Sequence, residues 1–251
     1  MSELNALSVI VVMGATGGIG AESCRVLQSL NHQVVALGRN SEKLSALQQE
    51  LGVTTRLIND GANFTEVEET LSSIKSDLGR IDGIVNCIGS VILKPAHMTS
   101  EEEFQGVLRT NLNSAFAVVR GGAKVLEQGG SIVLISSAAA RIGLANHEAI
   151  VAAKGGIIGL TLSAAATYGS KGIRVNAIAP GLVETPMTKR TTANERSKQI
   201  SLAMHTLGRL GQPSDIAQAI AFLLDSKNSW LSGQILGVDG GLGSLQPQPR
   251  V

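Results

Sequence analysis

The chain has 251 residues, 43% of them apolar and 16% charged, with 29 glycines and a formal net charge of +1. That is the composition of a globular protein with a large core, and it excludes a disordered chain. The near-neutral charge excludes a strong field for nucleic acid or anionic lipid, and 2% aromatic residues are too few for a base-stacking platform. Cys24 and Cys87 have neither metal-ligand nor redox spacing, so no metal is expected and a reducing, cytoplasmic compartment is the simplest reading. No apolar run reaches the roughly 18 residues of a membrane span and no signal-like segment opens the sequence, so no membrane partner is expected. Without internal repeats or a dividing linker, residues 1–251 are read as one domain.

In chain order, apolar runs at 7–13, 33–37, 54–58, 83–86, 131–136, 174–179 and 234–238 read as strands. They are rich in Val and Ile on both faces, as buried parallel strands are. Helical patterns lie between them near 18–31, 40–51, 65–78, 100–127, 146–170 and 213–226. Thr99 or Ser100 before Glu101–Glu103, and Pro213 before Asp215, are plausible helix starts. The alternation predicts a single Rossmann-type doubly wound parallel sheet of about seven strands, flanked by helices on both faces. Ligands of such sheets sit at the carboxyl ends of the strands.

The first strand runs into Gly14-Ala15-Thr16-Gly17-Gly18-Ile19-Gly20 and then a helix. Glycines in that context let the backbone turn tightly and approach a pyrophosphate at the helix N-terminus, although they also suit a plain turn. No acid follows the second strand to bind a ribose 2′-hydroxyl. Arg39 stands there and suits the 2′-phosphate of NADP, or is an ordinary solvated arginine. Asp60, before Gly61, is either an acceptor for an adenine amino group or a turn residue. Asn86-Cys87-Ile88-Gly89 closes the fourth strand. Asn111 interrupts a helical stretch, where asparagine is a poor helix former and is usually solvent-facing.

Ser137 ends the fifth strand and Lys154 lies 17 residues later on the next helix. Near one site, such a hydroxyl and ammonium polarise a carbonyl and hold a ribose; apart, each is surface chemistry. After the sixth strand, Pro180 and Gly181 release a loop through Val183 to Thr185. Residues 186–211 are polar and read as a mobile substrate lid.

Together these motifs resemble the short-chain dehydrogenase/reductase family over essentially the whole chain, the ketoacyl-carrier-protein reductase type most of all. The family's T-G-x-x-x-G-I-G appears with Met13 in place of the threonine. Its N-N-A-G corresponds to Asn86-Cys87-Ile88-Gly89, its helix asparagine to Asn111 and its strand serine to Ser137. Its P-G-x-x-x-T matches Pro180 to Thr185, and its D-G-G matches Asp239-Gly240-Gly241. The resemblance implies NADP, with NAD less suited, bound by Gly14, Thr16, Gly18, Ile19, Gly20, Arg39, Asp60, Gly61, Asn86, Ile88, Gly89, Lys154, Pro180, Gly181, Val183 and Thr185. It implies Ser137, Lys154 and Asn111 as the catalytic polar site. It also implies a homodimer or homotetramer, built through the fourth and fifth helices and the C-terminal segment. The tail, residues 244–251, is read as disordered or crossing to another subunit.

One residue departs from the pattern. The family's catalytic tyrosine belongs thirteen positions after the serine and four before the lysine, and both counts reach Ile150. The only tyrosine, Tyr168, lies 14 residues beyond Lys154 on the same helix, roughly 20 Å along its axis. Carbonyl reduction leaves an alkoxide that needs a proton, and isoleucine has none to give. His147, three residues before Ile150 and seven before Lys154, falls on the same face of the helix read over 146–170. Histidines titrate near neutral pH, so His147 is the candidate replacement acid, or else a surface residue at a helix start. The expected function is an NADP-dependent oxidoreductase acting on a small carbonyl compound or secondary alcohol with a non-standard proton donor. The alternative is an NADP(H)-binding, catalytically impaired homologue serving as a regulator or partner subunit.

Overall fold

Seven strands, β1 (Val9–Met13), β2 (Gln33–Gly38), β3 (Thr54–Leu57), β4 (Gly83–Asn86), β5 (Gly130–Ile135), β6 (Ile173–Pro180) and β7 (Ile235–Val238), form one parallel sheet in the order β3-β2-β1-β4-β5-β6-β7. The computed structural model describes residues 7–245, so residues 246–251 of the tail lie outside the described residues. The principal helices are α1 (Gly18–Ser29), α2 (Ser41–Leu51), α3 (Phe64–Leu78), α4 (Glu101–Leu108), α5 (Ser114–Val125), α6 (Ala139–Ile142), α7 (Glu148–Tyr168), α8 (Lys189–Thr192), α9 (Glu195–Met204) and α10 (Pro213–Leu224).

Alternation along β1 shows why the fold is doubly wound. All five of its residues are buried. Val9, Val11 and Met13 join one core with Leu71 and Ile74 of α3, Val118 of α5 and Ile157 of α7. Ile10 and Val12 join the opposite core with Leu27 of α1 and Ile216 and Ile220 of α10. A strand apolar on both faces needs a helical layer on each side.

Helix starts follow local chemistry. Asn40, Asn63 and Asn194 cap α2, α3 and α9 by accepting from the backbone N–H three residues on. Ser100 and Glu103 form a reciprocal capping box on α4.

Three expectations change. The helical stretch 100–127 is not one α-helix: residues Arg109–Asn113 form a π-helical turn between α4 and α5. The region 186–211, to which the sequence assigns a lid but no helix, contains α8 and α9. The segment Glu148–Lys171 is, by length and average composition, apolar enough to cross a membrane, although Lys154 interrupts its apolar run. Its apolarity has a packing cause, because α7 lies against β6 and also meets β5, α4 and α5. Leu71 is fully buried where α3 meets the sheet. Leu71→Ala should lower stability by about 2–5 kcal/mol, measured by urea unfolding.

Candidate active site

The strand order reverses between β1 and β4, and the candidate residues gather at the carboxyl ends of these strands and their neighbours. Gly14 follows β1 with φ +74°, and a Cβ there would lie 2.9 Å from the Cys87 carbonyl carbon and the Ile88 nitrogen. A Cβ on Gly20 would overlap the Gly14 carbonyl oxygen. Close backbone packing thus demands glycine at both positions. The N-terminus of α1 that emerges from this turn has no side-chain cap and no acid in its first turn, unlike α2, α3, α4 and α9. Exposed N–H groups and the positive dipole end there fit the pyrophosphate of a dinucleotide.

Thr16 packs against Gly38 at the end of β2, and Arg39 is exposed directly after it. Asp60 follows β3. Its carboxylate accepts from the Ala62 nitrogen (3.0 Å) and pairs with Arg109, the first residue of the π turn. The Ile88 side chain fills the space that a Cβ on Gly61 would need.

The same π turn reaches the end of β4. Asn111 is fully buried, not solvent-facing as an asparagine in a helix usually is. Its Oδ1 accepts from the Ser90 nitrogen (3.2 Å), and its Nδ2 donates to Ser90 Oγ (3.0 Å) and the Val107 carbonyl (2.9 Å). Asn86 Nδ2 donates to Ser114 Oγ (3.0 Å), which donates to the carbonyl of Thr110 (2.7 Å). π turns occur often at functional sites, and this one positions β3 and β4 ends together.

Gly89 brings Asn111 and Lys154 together: a Cβ on it would lie 3.2 Å from Asn111 Oδ1 and 3.7 Å from Lys154 Nζ. Lys154 is only 7% exposed. Its Nζ donates to the Ile135 carbonyl (2.7 Å), and Ser136 Oγ holds its backbone carbonyl (2.9 Å). Burial, with no carboxylate partner among the described residues, pushes the ammonium down from 10.5 to about 8. Ser137 accepts from the Ala139 nitrogen at 3.2 Å, which leaves its hydroxyl hydrogen to donate. Burial raises the Cys87 thiol to about 12 and raises that of Cys24 as well, so both stay protonated and unreactive near neutral pH.

Ile150 is buried in an apolar cluster with Val107, Ala149 and Ala153, against Ile92 and Phe104. His147 departs from the face expected for it. It sits at the N-cap of α7 with φ −111° and ψ 11°, outside the helix, so helical spacing does not direct its ring. Its Nδ1 lies 2.7 Å from the Ala145 carbonyl. Tyr168 is at the opposite end of α7 and packs into the sheet core.

Beyond β6, Gly181 leads to Val183, which is buried and bridges to Gly211. Thr185 then folds back on α1, where a Cβ on Gly18 would lie 2.9 Å from Thr185 Cβ. Thr188 Oγ1 fastens this turn to the Val183 carbonyl (2.5 Å). Sequence reasoning missed Ser90, Arg109, Ser114 and Thr188. Their positions depend on the π turn and the loop fold, and only the asparagine within a helical pattern hinted at either.

The unpaired burial of Lys154 has a measurable cost. Its folded-state pKa lies below the unfolded value, so the unfolded chain binds the extra proton between about pH 8 and 10.5 and stability rises with pH across that window. Lys154→Met should therefore stabilise the protein without ligand by about 3 kcal/mol at pH 7, with the gain shrinking toward pH 10. Paired urea titrations at both pH values check this.

Comparison with known proteins agrees with this geometry. Residues 14–243 match the family model described as enoyl-(acyl carrier protein) reductase. The chain is 34% identical to a short-chain dehydrogenase/reductase, aba4, of Botryotinia fuckeliana, over 93% of this chain and 95% of that protein. It is 32% identical to the 3-oxoacyl-[acyl-carrier-protein] reductase FabG of Thermotoga maritima, over 93% and 97%. A short-chain type dehydrogenase/reductase from Mycobacterium ulcerans superposes with a TM-score of 0.90 at 28% identity, covering 96% of this chain and 91% of that one. ElxO with NADP bound gives 0.89 at 25% identity, covering 96% and 100%. With a seven-stranded doubly wound sheet, a glycine turn at its switch point and relatives matched over nearly their full length, this chain belongs to the short-chain dehydrogenase/reductase family of oxidoreductases.

Proposed function

We propose that this protein binds NADP(H) at the junction of β1 and β4 and catalyses oxidoreduction of a small carbonyl compound or secondary alcohol. The observation that carries this reading is the uncapped N-terminus of α1 held open by glycines at the switch point of the sheet. The names of its relatives support it, a 3-oxoacyl-[acyl-carrier-protein] reductase and a structure with NADP among them. The preference for NADP over NAD rests on Arg39, which follows β2 where no carboxylate stands.

When bound, the nicotinamide would supply or accept the hydride. The chain holds and orients the reactants. Gly14, Gly18, Ile19 and Gly20 present the turn and the α1 N–H groups to the pyrophosphate, with Thr16 beside them. Arg39 takes the 2′-phosphate, and Asp60, aligned by Arg109, accepts from the adenine amino group next to Gly61 and Ile88. Asn86 and Gly89 line the adjoining strand end. Lys154 has donors left beyond its bond to Ile135, and these hold ribose hydroxyls. Pro180 and Gly181 lead to Val183 and Thr185, which would adjoin the nicotinamide. Ser137 donates its hydroxyl hydrogen to the substrate oxygen, and Asn111 keeps Ser90 and Gly89 in place.

Ile150 occupies the position at which the family carries its catalytic tyrosine, so the proton must come from water or from His147. The second reading, an NADP(H)-binding homologue with impaired chemistry that regulates or supports a partner subunit, is favoured by the apolar surroundings of Ile150. In either case we assign the protein to the cytoplasm as a homodimer or homotetramer. Phe116 of α5 and Leu162 of α7, both exposed, supply apolar surface for such an assembly.

The test follows NADPH absorbance against ketones, aldehydes and β-ketoacyl thioesters with native protein and Ile150→Tyr. General acids contribute roughly 10²–10⁴ in rate, so Ile150→Tyr should raise turnover by about that factor. Native turnover abolished in His147→Ala identifies the histidine as the donor. If only Ile150→Tyr is active, the partner-subunit reading stands. If neither native protein nor variant binds NADPH, both readings fail.

A further inference from the structure

We propose that His205 is a positioning residue that pins the lid helix α9 to the loop covering the glycine turn, and so holds that loop closed over the cofactor. The proposal rests on the reading of the site given above.

His205 directly follows α9 and is only 3% exposed. Its two ring nitrogens have different partners. Nδ1 lies 2.6 Å from the Ser201 carbonyl, one turn back in α9, and Nε2 lies 3.1 Å from the Leu182 backbone nitrogen. A carbonyl only accepts and a backbone N–H only donates, so the ring carries its hydrogen on Nδ1 and accepts at Nε2. One side chain thereby links α9 to the segment that leaves β6.

The surroundings are shaped around this ring. A Cβ on Gly181 would lie 2.5 Å from Nε2, and a Cβ on Gly240 would lie 3.4 Å from Cδ2. The ring therefore lies in a cleft bounded by backbone on two sides. The His205 carbonyl accepts from Gly208 (2.8 Å), Leu207 donates to the Gly240 carbonyl (3.0 Å), and Gly211 donates to the Leu182 carbonyl (2.9 Å). Leu182 is thus held through its N–H by His205 and through its carbonyl by Gly211.

What Leu182 carries matters for function. The next residues are Val183 and Thr185, and Thr185 rests on Gly18 at the start of α1. A displacement of α9 is transmitted through His205 to Leu182, then to Thr185, and so to the N-terminus that faces the pyrophosphate. In this proposal His205 makes no contact with substrate or cofactor. It acts through the loop, and the catalytic polar residues lie elsewhere.

Two substitutions separate a positioning role from general stabilisation. His205→Leu keeps bulk but cannot accept from Leu182, whereas His205→Gln retains an acceptor. Should His205→Leu not fold, His205→Asn, which is too short to reach Leu182, takes its place with the same expectations. Hydrogen exchange is read in protein without ligand, and NADPH affinity is read by titration. In His205→Leu, exchange of the Leu182 amide and of α9 should accelerate about tenfold or more while β1 and β4 stay protected, and NADPH binding should weaken about tenfold. His205→Gln should restore both. Unchanged Leu182 exchange in His205→Leu overturns the proposal, as does a lowered Tm with full NADPH affinity. If native protein binds no NADPH, the reading of the site fails and the role in cofactor closure fails with it. The exchange arm then still reports whether the pin exists.

Discussion

Everything at the candidate site depends on one constraint, the backbone-to-backbone approach of the turn after β1. Gly14 touches the Cys87–Ile88 peptide, and Gly20 packs on the Gly14 carbonyl. No side chain fits between these segments, so α1 starts close to the end of β4 with its first N–H groups facing the crevice. A side-chain cap would satisfy one of those donors and fill the space before them. Its absence from α1, in a chain that caps other helices with asparagine or serine, leaves the donors for an anion from outside.

The π turn is the second organising feature, and it serves two strand ends at once. Arg109 pairs with Asp60 after β3, while Asn111 holds Ser90 after β4. The two side chains stand two positions apart in the turn and point to different sides of it, one toward each strand end. The bulge between α4 and α5 therefore has a local cost and a long-range return. It keeps Gly89 beside Asn111 and Lys154 even though no regular secondary structure holds Gly89 itself.

Most of the fold was legible in the sequence because buried parallel strands are apolar on both faces and the intervening helices carry their own start signals. Ser100 and Pro213 begin α4 and α10 as their chemistry indicates. The site was legible where backbone geometry restricts residue type, as at Gly14 and Gly20. It was less legible where side chains meet across the fold. Arg109 is 49 residues from Asp60, and His205 is 23 from Leu182. No local pattern encodes those distances. His147 shows the opposite difficulty: periodicity put it on the helix, yet α7 begins one residue later, and one residue at a helix end decides whether its side chain follows the helical face.

The distinction between a working crevice and a remnant scaffold turns on which features are costly. The glycines also serve packing, so they would suit an empty fold equally well. Lys154 does not. Its ammonium is buried, with the Ile135 carbonyl its one partner and no carboxylate beside it among the described residues, and burial depresses its pKa to about 8. An apolar side chain at that position would pack on the same strand without the desolvation penalty. On the reading that Ile150 replaces a proton donor, the chain has exchanged one polar group of the site for an apolar one that suits its cluster with Val107 and Ala153, while retaining a lysine whose burial is costly. On that reading the two halves of the chemistry separate. Lys154, proposed to hold the dinucleotide, carries a desolvation cost, whereas Ile150, at the position proposed for the proton donor, carries none. The proposed dinucleotide site thus keeps its buried cation, and catalysis depends on the source of the proton.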